Sequence, residues 1–107
     1  MFSFNKTFVE ADWASGNVTA AIPVDWHCGR AACQVVVTGT IQFDIQSSNS
    51  DLQAGATAQW LADSATSENI TASKWITYNA IPRFIRLNVD SFTSGATVTL
   101  NWTQQDA

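Results

Sequence analysis

Charge is scarce in this chain of 107 residues: 13% of positions are Asp, Glu, Lys or Arg, about half the share usual in a globular domain. The five basic residues, Lys6, Arg30, Lys74, Arg83 and Arg86, are scattered, and the net charge is -4. That balance argues against nucleic acid, whose phosphates call for clustered Lys and Arg. No apolar run approaches the roughly 20 residues of a membrane span, so no membrane insertion is expected. The opening residues, Met1 to Lys6, lack the basic and then apolar regions of a signal peptide, and the expectation is synthesis and folding in the cytosol. On that expectation the four Asn-x-Thr sequons, at Asn5, Asn17, Asn69 and Asn101, are chance products of an Asn- and Thr-rich chain.

The residues that usually carry chemistry are equally sparse. His27 is the only histidine, and on an extended segment it and Cys28 point to opposite faces, which separates a thiol from its base. There is no Gly-x-Ser-x-Gly elbow, no Ser-x-x-Lys and no phosphate-cradling glycine loop. The carboxylates Asp25, Asp44, Asp51, Asp63, Glu68 and Asp90 fall mostly in turns, where Asp serves its own backbone. An enzyme is not expected, and neither is a cofactor. Cys28 and Cys33 leave three readings open: reduced thiols, a small disulfide loop, or a metal site completed by His27 and Asp25. Their spacing is wider than CxxC and no second pair exists to complete a structural zinc site.

Alternation is what the chain has in quantity. In Pro82 to Val89, Ile85, Leu87 and Val89 share one face; in Thr97 to Thr103, Val98, Leu100 and Trp102 do, with Thr99 and Asn101 opposite. Ser91, Ser94 and Gly95 between them suit a turn, which predicts a hairpin. The longest alternation runs from Gln34 to Gln46: Val35, Val37, Ile41, Phe43 and Ile45 face one way, Val36 is the exception, and Gly39 marks a bulge or bend. Phe2, Phe4 and Phe8 define a first strand, and residues 1–10 are either that strand or an N-terminal arm. A short strand over Asn17 to Ile22 ends, or lies on an edge, at Pro23. Ala56, Ala58 and Trp60 align as another, and Ile70 with Lys74 to Tyr78 supplies one or two more. No window has convincing amphipathic-helix spacing. The prediction is an all-β chain: a single antiparallel β-sandwich over residues 1–107, jelly-roll-like, with about seven or eight strands.

Five tryptophans stand out. Trp102 and Trp60 are in phase with apolar neighbours and read as core. Trp13, Trp26 and Trp75 lie at turns or in unclear register. Core or rim packing accounts for any one of them; together with Phe2 and Phe4 they are also the candidate contacts for a protein interface or a glycan, because an exposed indole is rigid and amphipathic. Arg83 and Arg86 read as solvated strand-end charges, with an interface role as the alternative.

A strand carrying Val37-Thr38-Gly39-Thr40-Ile41-Gln42-Phe43 leads to a polar loop from Ser47. Gln59-Trp60-Leu61 follows, then Lys74-Trp75-Ile76, Pro82-Arg83-Phe84-Ile85-Arg86-Leu87-Asn88-Val89, the Ser91 to Gly95 turn and Thr97-Val98-Thr99-Leu100. From Val35 to Thr103 this order resembles small β-sandwich structural proteins of bacteriophages, found as head decoration (cement) proteins, spikes or tail-associated subunits. The resemblance implies a non-enzymatic virion component, made in the host cytoplasm. Its partners would be copies of itself, most naturally a trimer, and the major capsid or other virion proteins. No catalytic residues come with it. The alternative function is a carbohydrate-binding or host-receptor-binding module working through surface tryptophans.

Overall fold

The structure, a computed structural model, describes residues 2–25, 29–50 and 59–105. Seven strands and one turn of helix follow in the order β1 (Ser3–Phe8), α1 (Glu10–Trp13), β2 (Ile22–Pro23), β3 (Arg30–Thr38), β4 (Ile41–Ser48), β5 (Lys74–Tyr78), β6 (Phe84–Phe92) and β7 (Thr97–Gln105). They form a four-stranded sheet, β1-β7-β3-β5, and a three-stranded sheet, β2-β6-β4, and every pairing is antiparallel. The molecule is an antiparallel β-sandwich. Val35, Val98, Leu100 and Trp102 from the larger sheet meet Phe43, Ile45, Ile85 and Leu87 from the smaller in one buried cluster. Among the described residues, no helix is long and apolar enough to cross a membrane.

The two best-patterned strands are not a hairpin. β6 pairs with β4 and β2, whereas β7 pairs with β3 and β1, so Thr93 to Ala96 carries the chain from one sheet to the other. β3 and β4 make the matching crossing at Gly39 and Thr40. β3–β4 and β6–β7 are therefore one long two-stranded ribbon, paired from Arg30↔Gln105 to Ser48↔Phe84 and folded over at its middle. A ribbon folded around a core keeps the same face inward on both sides of the fold. That is why the Gln34 to Gln46 alternation continues through the corner, and why alternation alone could not reveal the change of sheet. The bulge lies elsewhere, between Gln42 and Phe43, opposite the unpaired Asp90. It shifts the parity of β6, so that Phe92 pairs with buried Ile41 and, although 39% exposed, meets Trp13 edge-on at 5.6 Å.

Other expectations shift for local reasons. The strand foreseen over Asn17 to Ile22 shrinks to Ile22–Pro23 on the sheet edge. Upstream, Val18 makes one bridge to Asn88, and the Thr19 hydroxyl takes the place of a backbone acceptor for Leu87 N at 3.0 Å. Asn17, with φ 65°, breaks the extended run. Ser3–Phe8 pairs with β7 of its own chain along its whole length rather than extending as an arm. The strand expected around Ala56 and Ala58 lies outside the described residues. The free edge of β4 is covered by bridges from Leu61 and Ile70 and by Ile45 N donating to Ser67 O at 2.8 Å.

Candidate functional site

The sequence-predicted contacts scatter over the molecule. Trp13, one of the candidate contacts, is fully buried against Phe92; its apolar bulk serves the core and it touches no solvent. Phe2, just before edge strand β1, and Phe4 on it are half-buried, and Phe4 stacks on Trp102 at 5.8 Å. Trp75 stands 68% exposed on β5. Trp26, His27 and Cys28 lie outside the described residues. Cys33 is buried with its thiol free, and burial pushes its pKa up to about 12, so it remains a protonated thiol at neutral pH. Among the described residues, no group of three His, Cys, Asp or Glu side chains could hold a metal ion.

Two outward-facing arrangements remain, one on each sheet. On the smaller sheet, β4 presents Gln42, Asp44 and Gln46, and β6 presents Arg86 and Asn88. Gln46 and Arg86 are register partners. Arg86 Nε donates to Gln46 Oε1 at 2.8 Å, and its guanidinium carbon lies 4.3 Å from the centre of the Trp60 ring. A guanidinium stacks on an indole through both charge–quadrupole attraction and flat contact. Trp60 is thus half-buried outside the sheet, in contrast to the core position expected of it, and Arg86 is a half-buried, oriented cation rather than a solvated one. Burial lowers its pKa from an ordinary value of 12.5, yet guanidinium in proteins stays charged. Among the described residues no carboxylate forms an ion pair with it; nearby Asp44 accepts instead from Asn69 N at 2.8 Å. Next to Trp60 in the chain, Leu61 is 76% exposed. It borders a groove of about 680 Å³ between the sheets, floored by Tyr78, Ile81 and Pro82.

The larger sheet turns a different surface outward. Three rows cross it in register: Ser3, Thr103, Ala32 and Thr77; Asn5, Asn101, Gln34 and Trp75; and Thr7, Thr99 and Val36. Asn5 Nδ2 donates to Asn101 Oδ1, and Asn101 Nδ2 donates to Gln34 Oε1 at 3.3 Å. The Thr7 and Thr99 hydroxyls share a hydrogen bond at 2.9 Å. Among the described residues these outward positions carry no carboxylate, and their one charge is Arg30 at a corner.

Sequence reasoning missed the Arg86–Gln46–Trp60 set because it is made by strand register and a returning loop. Alternation places Arg86 and Gln46 outward but cannot say that they are neighbours. No protein-family model, characterised protein or solved structure matches this chain.

Proposed function

We propose that this chain is a non-enzymatic structural subunit of a bacteriophage virion: a capsid decoration protein that assembles as a closed trimer and stabilises the shell through contacts with neighbouring subunits. The observation that carries this reading is Arg86. A half-buried guanidinium held by an amide and an indole, with no carboxylate paired to it among the described residues, is suited to receive one from a neighbour, and Arg and Trp are the side chains that anchor protein interfaces. The chain has nine Asp and Glu residues and a net charge of -4, so a second copy offers carboxylates in abundance. A contact in which Arg86 of one copy meets an acid of the next without the reverse contact is heterologous, and such a contact closes into a ring when the rotation between copies closes, as a three-fold rotation does. The resemblance of Val35 to Thr103 to phage β-sandwich proteins supports placing such an assembly on a virion.

Sedimentation velocity over a concentration series tests the reading. The expected species sediments with about three times the 11.6 kDa mass of the chain. A single 11.6 kDa species at every concentration would count against self-assembly.

A further inference from the structure

The larger sheet faces away from Arg86, and its central row is polarised. In Asn5–Asn101–Gln34 each amide nitrogen points its hydrogen bond in one direction along the row. The sequence of donations uses Gln34 Oε1 and leaves Gln34 Nε2 donating to no protein group among the described residues. The strand paired next to Gln34 brings Trp75, whose indole is largely in water. Small or hydroxylated side chains flank this pair along the strands: Ala32 beside Gln34, Thr77 beside Trp75. Three strand spacings of about 4.8 Å make the row roughly 14 Å long, the span of a short oligosaccharide.

The geometry points to a binding site for a neutral oligosaccharide along the Asn5–Asn101–Gln34–Trp75 row. Each component matches one property of that ligand. The apolar face of a pyranose ring needs a rigid aromatic surface, which Trp75 offers. Vicinal hydroxyls both donate and accept, which matches amides fixed in a row with donors and acceptors left over. Tying the amides to one another fixes their rotamers before any ligand arrives, which lowers the entropic cost of binding. A face whose described residues include no carboxylate, and one Arg at the corner, suits a ligand without charge. Thr7, Thr99, Ser3 and Thr103 on the adjoining rows extend the hydroxyl-bearing surface to either side. This site is independent of the trimer contact, which uses the other sheet.

The test is titration of the purified full chain with maltohexaose, cellohexaose and chitin hexasaccharide, read by tryptophan fluorescence and by calorimetry. At least one of the three is expected to bind saturably, with affinity unchanged between low and high salt. Trp75→Ala and Gln34→Ala should each weaken that binding about tenfold or more, as loss of a stacking or hydrogen-bonding anchor does. Trp60→Ala, in the loop stacked against the opposite sheet, should leave it unaltered. Thermal unfolding of each variant checks that the fold persists; because Trp75 is exposed, its loss should leave the fold intact. Absence of binding by all three sugars, or binding that Trp75→Ala and Gln34→Ala leave unchanged, overturns the proposal. Neither result bears on the mass of the assembly.

Discussion

Gly39 lies so close to Ala96 that a Cβ on the glycine would stand 3.1 Å from the Ala96 Cα. The two residues are where the folded ribbon turns from one sheet to the other, each in one of its two crossings. Gly39 also has φ +80°, a conformation that costs an L-residue roughly 1–2 kcal/mol. Gly39→Ala should therefore lower stability by about 2 kcal/mol or more, since backbone strain and a backbone clash add. Gly16, with the same φ but open space around it, is the comparison: Gly16→Ala should cost only about 1 kcal/mol. Urea denaturation of the two variants measures the difference, and equal losses would mean that the close approach at the corner is unimportant.

Trp102 is the next test of how the core is held. It lies between Phe4 and Tyr78, with ring centres at 5.8 and 4.9 Å, and its Nε1 donates to Gln104 Oε1 at 3.0 Å. Gln104 Nε2 in turn donates to the Asp25 carbonyl at 2.5 Å. Trp102→Ala should cost about 3–5 kcal/mol by removing a buried indole. Gln104→Ala should cost about 1–3 kcal/mol by leaving the indole N–H and the Asp25 carbonyl without this partner. Chemical denaturation with fluorescence and circular dichroism reads both.

The pattern of legible and illegible features follows from what alternation encodes. It names the buried faces of β3, β4, β6 as far as Val89, and β7, because burial repeats with period two. Val36, the odd apolar residue of its run, is indeed outward. Alternation does not name a strand's partner, so β6 and β7, adjacent in sequence and equally patterned, look like a hairpin that they do not form. It is blind to short helices too: Trp13 comes inside because one turn, Glu10–Trp13, folds it under Phe92. Of the surface sites, Trp75 was legible as a tryptophan in unclear register. Its amide neighbours required the cross-strand pairing of Asn5, Asn101 and Gln34. Trp60 was misplaced because it belongs to the loop returning over β4, where strand phase has no meaning.

Cys33 sets a pH dependence whose sign can be worked out. Burial raises its pKa from 9.0 to about 12, and burial, followed by the charges of Cys33 and Asp63, raises that of Tyr78 as well. Above the unfolded thiol value the unfolded chain gives up a proton that the native chain keeps, so raising pH favours unfolding. Stability should hold up to about pH 9 and fall as pH rises from there towards about 12. Cys33→Ala should remove the thiol part of that slope. In a Cys28→Ala background, native protein should react with dithionitrobenzoate at pH 8 no faster than it unfolds, and rapid labelling would show the thiol to be accessible.

Replacing Arg86 should be felt at Trp60. Arg86→Ala removes the cation stacked on the indole, and Trp60 should become more exposed, with emission shifted to the red and quenching by iodide increased. Arg86→Lys should restore little of this, because an ammonium lacks the flat surface and the Nε donor that meets Gln46. The fold itself should tolerate both changes, since Arg86 faces outward from β6. Unchanged emission in Arg86→Ala would mean that the stacking does not hold Trp60 in solution.

The most direct measurement is the mass of wild type and of Arg86→Glu by light scattering, each in low and in high salt. We expect wild type at about three chain masses in low salt, with partial dissociation as salt screens the contact, and Arg86→Glu as an 11.6 kDa monomer throughout. A wild-type monomer under all conditions, or an Arg86→Glu variant that assembles as wild type does, would contradict a subunit contact built on Arg86.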